Sequence, residues 1–331
     1  MPFRLILATL LAFTMALPAA AQCAGASFYD RLTTADRETL AKVATETPFG
    51  RGLMWTATRG GTTLTVVGTM HITDPRHAAL LARIAPAIAR ADLLLVEATK
   101  DDEAAMQSAM AEDPGIMFIT DGPTLIDLLD DETWSTLRDA AESRQIPAFM
   151  AAKMKPWFLM VTLAIPTCAM KGIQAGDRGL DQMIMQAAEE SGVQVQALES
   201  WRTMFDLLTG TSFVEQVAML KTAIMPDDLL SEMYVALQDD YFAGRVAEIW
   251  EMSRLSMNYI PGMDLAEAEA GFAQTEQLLL IDRNAAWVPV IEAAAAGKKS
   301  VVVAFGAAHL PGENGVLRLL EQQGWDIAPL D

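Results

Sequence analysis

Apolar positions along this chain recur with two spacings, and each predicts its own kind of element. Six short, largely apolar runs, 53–58, 62–68, 92–97, 193–198, 300–305 and 325–330, read as strands. The first two flank Arg59-Gly60-Gly61, a turn sequence that predicts a hairpin. The run DLLLVE, from Asp92 to Glu97, shows no alternation, so both its faces are expected to be covered inside a parallel sheet. Between strands the spacing becomes helical. Asp74-Pro75 predicts a helix start, with Asp74 as its cap, ahead of Leu80, Leu81, Ile84 and Ile88 on one face. Leu180, Ile184 and Ala187 mark a second helix that Gly192 ends. Two long segments, at about 101–175 and 201–298, carry helical spacing without a strand run. The pattern predicts an α/β fold in one domain, 22–331: a mostly parallel central sheet with an N-terminal hairpin and two large helical insertions.

Composition narrows the possible partners. With 52% hydrophobic residues in 331, the chain can bury a substantial core. Its 43 acidic and 24 basic side chains give a net charge of −19. No basic stripe is present to meet phosphates, so nucleic acid is not an expected partner. Acidic clusters such as Asp101-Asp102-Glu103 read as solvated helix ends.

The N-terminus bears on where the protein works. Arg4, the apolar run 5–17 and Pro18-Ala19-Ala20-Ala21 stand in the order of a secretory signal. Residues 1–21 are therefore expected to be removed, leaving a periplasmic or secreted protein that starts at Gln22. A lipid anchor on Cys23 or a retained membrane anchor are the alternatives, although the apolar run falls short of the ~20 residues a bilayer requires. The apolar stretch 156–170 is also short and contains Pro166, so it reads as a buried helix, and no stable membrane span is expected once the signal is gone. Export would place Cys23 and Cys168 in an oxidising compartment where the pair can form a disulfide, with two unpaired thiols as the alternative.

Candidate chemistry comes from a repeated motif. Gly68-Thr69-Met70-His71 and Gly306-Ala307-Ala308-His309 each follow an apolar run, and they contain two of the chain's three histidines. Four predicted strands stop at or just before His71, Glu97, Glu199 and His309, and the carboxyl ends of parallel strands are where open α/β sheets bind ligands. Two imidazoles and two carboxylates suit a divalent ion of the Zn, Mn, Co or Fe kind; with no HExxH pair, such a site must be assembled from distant segments. A lone histidine in a glycine turn is more often a hydrogen-bonded structural residue, and only the coincidence of two at strand ends reverses that preference. Glu97 could equally be a strand-end charge, and Glu199 is the weaker candidate. His77, in the first turn of the Asp74-Pro75 helix, is expected to be exposed and without a role. The methionines of the helical segments, among them Met150, Met154, Met160, Met170, Met183 and Met185, read as core filling before they read as a peptide groove.

With GTMHITDPR, LLLVEA, LDQMIMQAAEESGVQVQALES, IDRN and VVVAFGAAHLPGENGVLRLLEQQGW in view, the chain resembles the TraB/PrgY/GumN family, in its exported GumN-like branch. The paired Gly-x-x-His motifs and intervening Glu are shared with the Tiki-type metalloproteases, within a wider group that includes ChaN-like and erythromycin-esterase-like proteins. The resemblance implies a fold of that kind and peptide hydrolysis with a divalent metal ion (Mn, Co or Zn). It points to His71, Glu97 and His309 as functional residues, with Arg283 of IDRN in support. His71 and His309 would hold the ion, Glu97 would be ligand or general base, and Arg283 would stabilise an oxyanion or grip a substrate carboxylate. Two other classes of function are compatible with these residues: a non-catalytic periplasmic binder of metal or a haem-related ligand, and a metal-free esterase-like hydrolase with a histidine base. No Gly-x-Ser-x-Gly elbow supports a covalent mechanism.

Overall fold

A computed structural model describes residues 23–330, so the expected signal segment 1–21 lies outside the described residues. Among them one sheet forms from β1 (Met54–Arg59), β2 (Thr62–Thr69), β3 (Leu93–Val96), β4 (Val195–Ala197), β5 (Ser300–Gly306) and β6 (Asp326–Pro329). Their order is β4-β3-β5-β2-β1-β6. The pairs β4/β3, β3/β5 and β5/β2 are parallel, while β1 runs antiparallel to both β2 and β6. Each expected strand is present within two residues of its predicted ends.

Both faces of the sheet are covered, which is why DLLLVE lacks alternation. Leu93, Leu95, Val301, Val303 and Phe305 pack on one side against Trp287, Val288, Ile291, Leu317 and Leu320. Leu94, Val96, Val302 and Ala304 pack on the other against Ile84, Ile88, Leu180 and Ile184. Each fully buried aliphatic side chain contributes roughly 1.5–3 kcal/mol. The helices involved are α2 (His77–Ile88), Leu180–Glu190, Asp282–Ala295 and Val316–Gln322; α1 (Thr34–Glu46) precedes the sheet.

The insertions are helical, as expected. The first runs from α3 (Lys100–Glu112) to Thr167–Ala175 and the second from Trp201–Thr209 to Asp282–Ala295. They share a core of their own, in which Leu125, Leu137, Leu159 and Leu163 meet Val217 and Leu220. A disulfide joins Cys23 to Cys168 across a Cα–Cα distance of 5.1 Å, tying the start of the described chain to the first insertion.

Three local expectations need correcting. The helix α2 begins at His77, because the Asp74 carboxylate accepts from the Arg76 backbone N–H and guanidinium and closes a turn there. His77 is consequently turned inward and fully buried rather than exposed. The apolar stretch 156–170 is broken at Pro166 into Pro156–Leu163 and Thr167–Ala175, since proline has no N–H to continue the first helix. No single helix among the described residues is long and apolar enough to cross a membrane, although that bent pair extended to Glu190 passes on length and composition.

Candidate functional site

Two glycines let the strand ends come together. A Cβ on Gly68 would lie 2.6 Å from the Leu310 side chain and 3.0 Å from the Ala307 backbone, so only glycine lets the end of β2 nest against the turn after β5. A Cβ on Gly306 would lie 3.3 Å from Glu97 Oε1, and the Gly306 N–H donates to that oxygen at 2.6 Å. The first position of each Gly-x-x-His motif is thus a point of close approach at the mouth of the sheet.

Strand parity decides which helix each residue meets. Glu97 continues the Leu93/Leu95 face and so meets the Asp282–Ala295 helix, while His71 continues the Val67 face and meets the Leu180–Glu190 helix. Arg283 stands at the centre, 6% exposed. Its Nη2 donates to Glu97 Oε2 at 2.7 Å and to Glu199 Oε1 at 2.6 Å, and its Nε donates to Glu199 Oε1 at 3.0 Å. The Trp287 Nε1–H donates to Glu199 Oε2 at 3.0 Å, and the guanidinium carbon lies 4.6 Å from the Trp287 ring centroid. A π-helical turn, Gln277–Ile281, leads into this helix, and its Leu279 carbonyl accepts from Arg283 Nη1.

His309 is buried and its protonation is fixed by its neighbours. Asn284 Nδ2 donates to the Asn314 carbonyl, which turns Asn284 Oδ1 toward His309 Nδ1 at 2.6 Å. Nδ1 therefore carries the proton, and Nε2 offers its lone pair to Arg283 Nη1, 3.3 Å away. Burial pushes the imidazole pKa down to about 4, against the pull of Glu97. Glu97 is held below the usual carboxylate range: burial alone would raise it, but neighbouring positive charge and the Gly306 N–H outweigh that. Because His309 is neutral above about pH 4, Arg283 and protonated His71 supply that charge near neutrality.

His71 differs from His309 in exposure and in charge. Its Nδ1 is 3.2 Å from Asp181 Oδ2, and this hydrogen bond, opposed by desolvation, raises its pKa to about 9. The ring is set among many neighbours, yet 64% of the side chain remains open to the pocket, so water screens the pair. That pocket, about 290 Å³, is lined by His71, Glu97, Asp181, Glu199 and Arg283 together with apolar groups such as Met106 and Trp201.

The donor set fits a divalent ion in kind. Both imidazoles have Nδ1 tied to an oxygen, the arrangement that leaves Nε2 as the ligating atom in metal-bound histidines. The carboxyls of Glu97, Glu199 and Asp181 face two cations, Arg283 and His71; exchanging the His71 proton for a doubly charged ion would balance them. Arg283 competes, because Glu97, Glu199 and His309 Nε2 each already accept from it or face it. Among the described residues no three His, Cys, Asp or Glu side chains are gathered as a ligand group.

The sequence model of the TraB/PrgY/gumN family matches residues 53–329, from the hairpin to the last strand. The chain belongs to the TraB/PrgY/gumN family. No curated protein matches it. In this family member all five sequence-predicted residues, His71, Glu97, Glu199, Arg283 and His309, converge at one end of the sheet. Asp74 lies elsewhere, bound to Arg76 and Gln238. Sequence reading missed Asp181, Asn284 and Trp287. Two signals were present: Trp287 stands four residues after Arg283 and Asn284 next to it, and Asp181 sits in the first turn after Gly179.

Proposed function

We propose that this protein is an exported hydrolase of peptides, working with a divalent ion (Mn, Co or Zn) held by Nε2 of His71 and of His309. The observation that carries the reading is the anchoring of both Nδ1 atoms, on Asp181 and on Asn284, beside an ionised Glu97. Such an ion, when bound, lowers the pKa of water and polarises a carbonyl. Glu97, kept ionised and aimed by the Gly306 N–H and Arg283, serves as a further ligand or accepts the water proton. Arg283 fixes both carboxylates and brings positive charge to where an oxyanion develops. Val96, Met106, Met185 and Trp201 offer an apolar wall to a peptide side chain.

A metal-free hydrolase is the second reading, favoured by the guanidinium already standing among Glu97, Glu199 and His309. There the His71–Asp181 pair would handle the proton. One experiment separates the two: bound metal is measured by mass spectrometry on protein purified without a histidine tag, alongside turnover of a peptide library. The metal reading expects near-stoichiometric metal in wild type, its loss in His71→Ala and His309→Ala, and cleavage abolished by chelator and by Glu97→Gln. Cleavage that survives chelation but not histidine replacement would establish the metal-free reading. Metal binding without cleavage would make the protein a carrier.

A further inference from the structure

His77 is completely buried, yet neither of its ring nitrogens has a hydrogen-bond partner. Buried polar groups are nearly always satisfied, by protein or by ordered water, so an orphaned imidazole calls for an account. It is not alone. Thr69 Oγ1 and Asp181 Oδ1 are also buried without partners.

The three groups belong to elements that meet under the end of the sheet. Thr69 is the last residue of β2, His77 opens α2, and Asp181 lies in the first turn of the Leu180–Glu190 helix. That helix is docked on the residues after β2, through the Leu180 N–H donating to the Met70 carbonyl at 3.0 Å. It also packs along α2, where Ile84 and Ile88 share a cluster with Leu180 and Ile184. The charged groups that act on the His77 ring are Asp74, Asp181 and Arg76. Both Asp74 oxygens are filled by Arg76 and Gln238, which leaves Asp181 Oδ1 as the carboxylate oxygen still needing a donor. Around the rest of the ring stand Tyr241 and Phe242, at centroid distances of 6.0 and 5.3 Å, and the Tyr241 hydroxyl is engaged with the Gly68 carbonyl.

We propose that Thr69 Oγ1, Asp181 Oδ1 and a His77 ring nitrogen share buried water, which makes His77 a positioning residue that holds Asp181 against His71. A buried water needs two to four polar partners, and these three supply them. Neutral imidazole donates from one nitrogen and accepts at the other, so it can complete the water's bonding in either sense. Fixing Oδ1 sets the rotation of the Asp181 carboxylate, and Oδ2 of that carboxylate meets His71 Nδ1. The inference rests on the proposed function only in taking His71 as a site residue; the Asp181 contact is observed directly.

The test uses metal-free protein and no turnover, so it stands or falls separately from the peptidase reading. A crystal structure that resolves waters should show one within hydrogen-bond distance of Thr69 Oγ1, Asp181 Oδ1 and His77. With only three histidines in the chain, imidazole ¹⁵N spectra can be assigned by single replacement. His77→Phe should make the His71 Nδ1–H exchange with solvent roughly three- to tenfold faster, the loss of about one hydrogen bond; His77→Gln, which keeps a polar end, should recover most of it. A dry junction, or an unchanged His71 signal in folded His77→Phe, overturns the proposal. Should His77→Phe fail to fold, Thr69→Val removes one of the water's partners at similar volume and is read the same way.

Discussion

Arg283 carries more of the site than any other side chain, because one buried guanidinium binds two partly buried carboxylates and faces the lone pair of a neutral histidine. Removing one partner of a buried ion pair leaves the other uncompensated, at a cost of about 3–5 kcal/mol. Arg283→Met, which keeps most of the volume, should lower the unfolding free energy from urea titration by about that amount, whereas a change under about 1 kcal/mol would mean that Glu97 and Glu199 are far better solvated than their partial burial indicates. His309 sets a pH limit. Its folded pKa of about 4 lies below the ordinary 6.5, so its contribution to stability is complete above pH 6.5 and is lost as pH falls through 4. Protonating it beside Arg283 should cost on the order of 3 kcal/mol across that window. Stability followed from pH 7 to 4 should fall less steeply in a folded His309→Asn variant. His71 works in the opposite sense: raised to about 9, it stabilises fully below pH 6.5 and loses its pairing as pH climbs through 9. These roles were only partly legible beforehand, since residue type marked His71, Glu97 and His309 but not which would be charged. Burial beside Arg283 and a hydrogen bond to Asp181 decide that, and neither is a local property of the sequence.

At the scale of elements, strand ends and helix starts place the chemistry. The glycine of the first motif acts through packing, since β2 approaches the turn after β5 so closely that a single methyl group meets Leu310 and Ala307. Gly68→Ala should therefore destabilise the fold by about 1–3 kcal/mol through overpacking; thermal unfolding of the variant would show it, and an unshifted Tm would mean that the turn yields freely. The π-helical turn before Arg283 bears on the same point. Its i→i+5 spacing leads into the helix that aims Arg283 and Trp287 at Glu199, and the sequence of that segment gives no periodic sign of it. Strand positions, by contrast, were legible within two residues, because apolar runs bounded by turn residues have few other uses. The start of α2 was misplaced for a specific reason: Asp74 bonds the Arg76 backbone two residues on, closing a turn instead of capping a helix.

For the whole molecule, each face of the sheet has its own core and parts of the two insertions share a third, so the site lies where the end of the sheet meets the starts of both insertions, at Met106 and Trp201. The Cys23–Cys168 bond closes a separation of 145 residues and ties the start of the described chain to the end of the first insertion. A loop of that size should be worth about 4–5 kcal/mol by chain entropy, with native strain able to reduce it. Urea unfolding of a Cys23→Ser/Cys168→Ser double variant should show a midpoint clearly below that of the oxidised protein; equal midpoints would mean that the bond constrains little of the unfolded chain.

The sequence by itself determined the α/β class, the number and place of the strands, the two helical insertions and the family, because periodicity and short motifs are local and need no knowledge of neighbours. It also marked the residues that end the strands. Tertiary structure alone decided that Glu97 faces Arg283 while His71 faces Asp181, that Asn284 fixes the proton on His309, and that His77 is sealed inside. Those outcomes depend on which side of the sheet each helix covers and on how much water it displaces, and both are set by contacts between segments far apart along the chain.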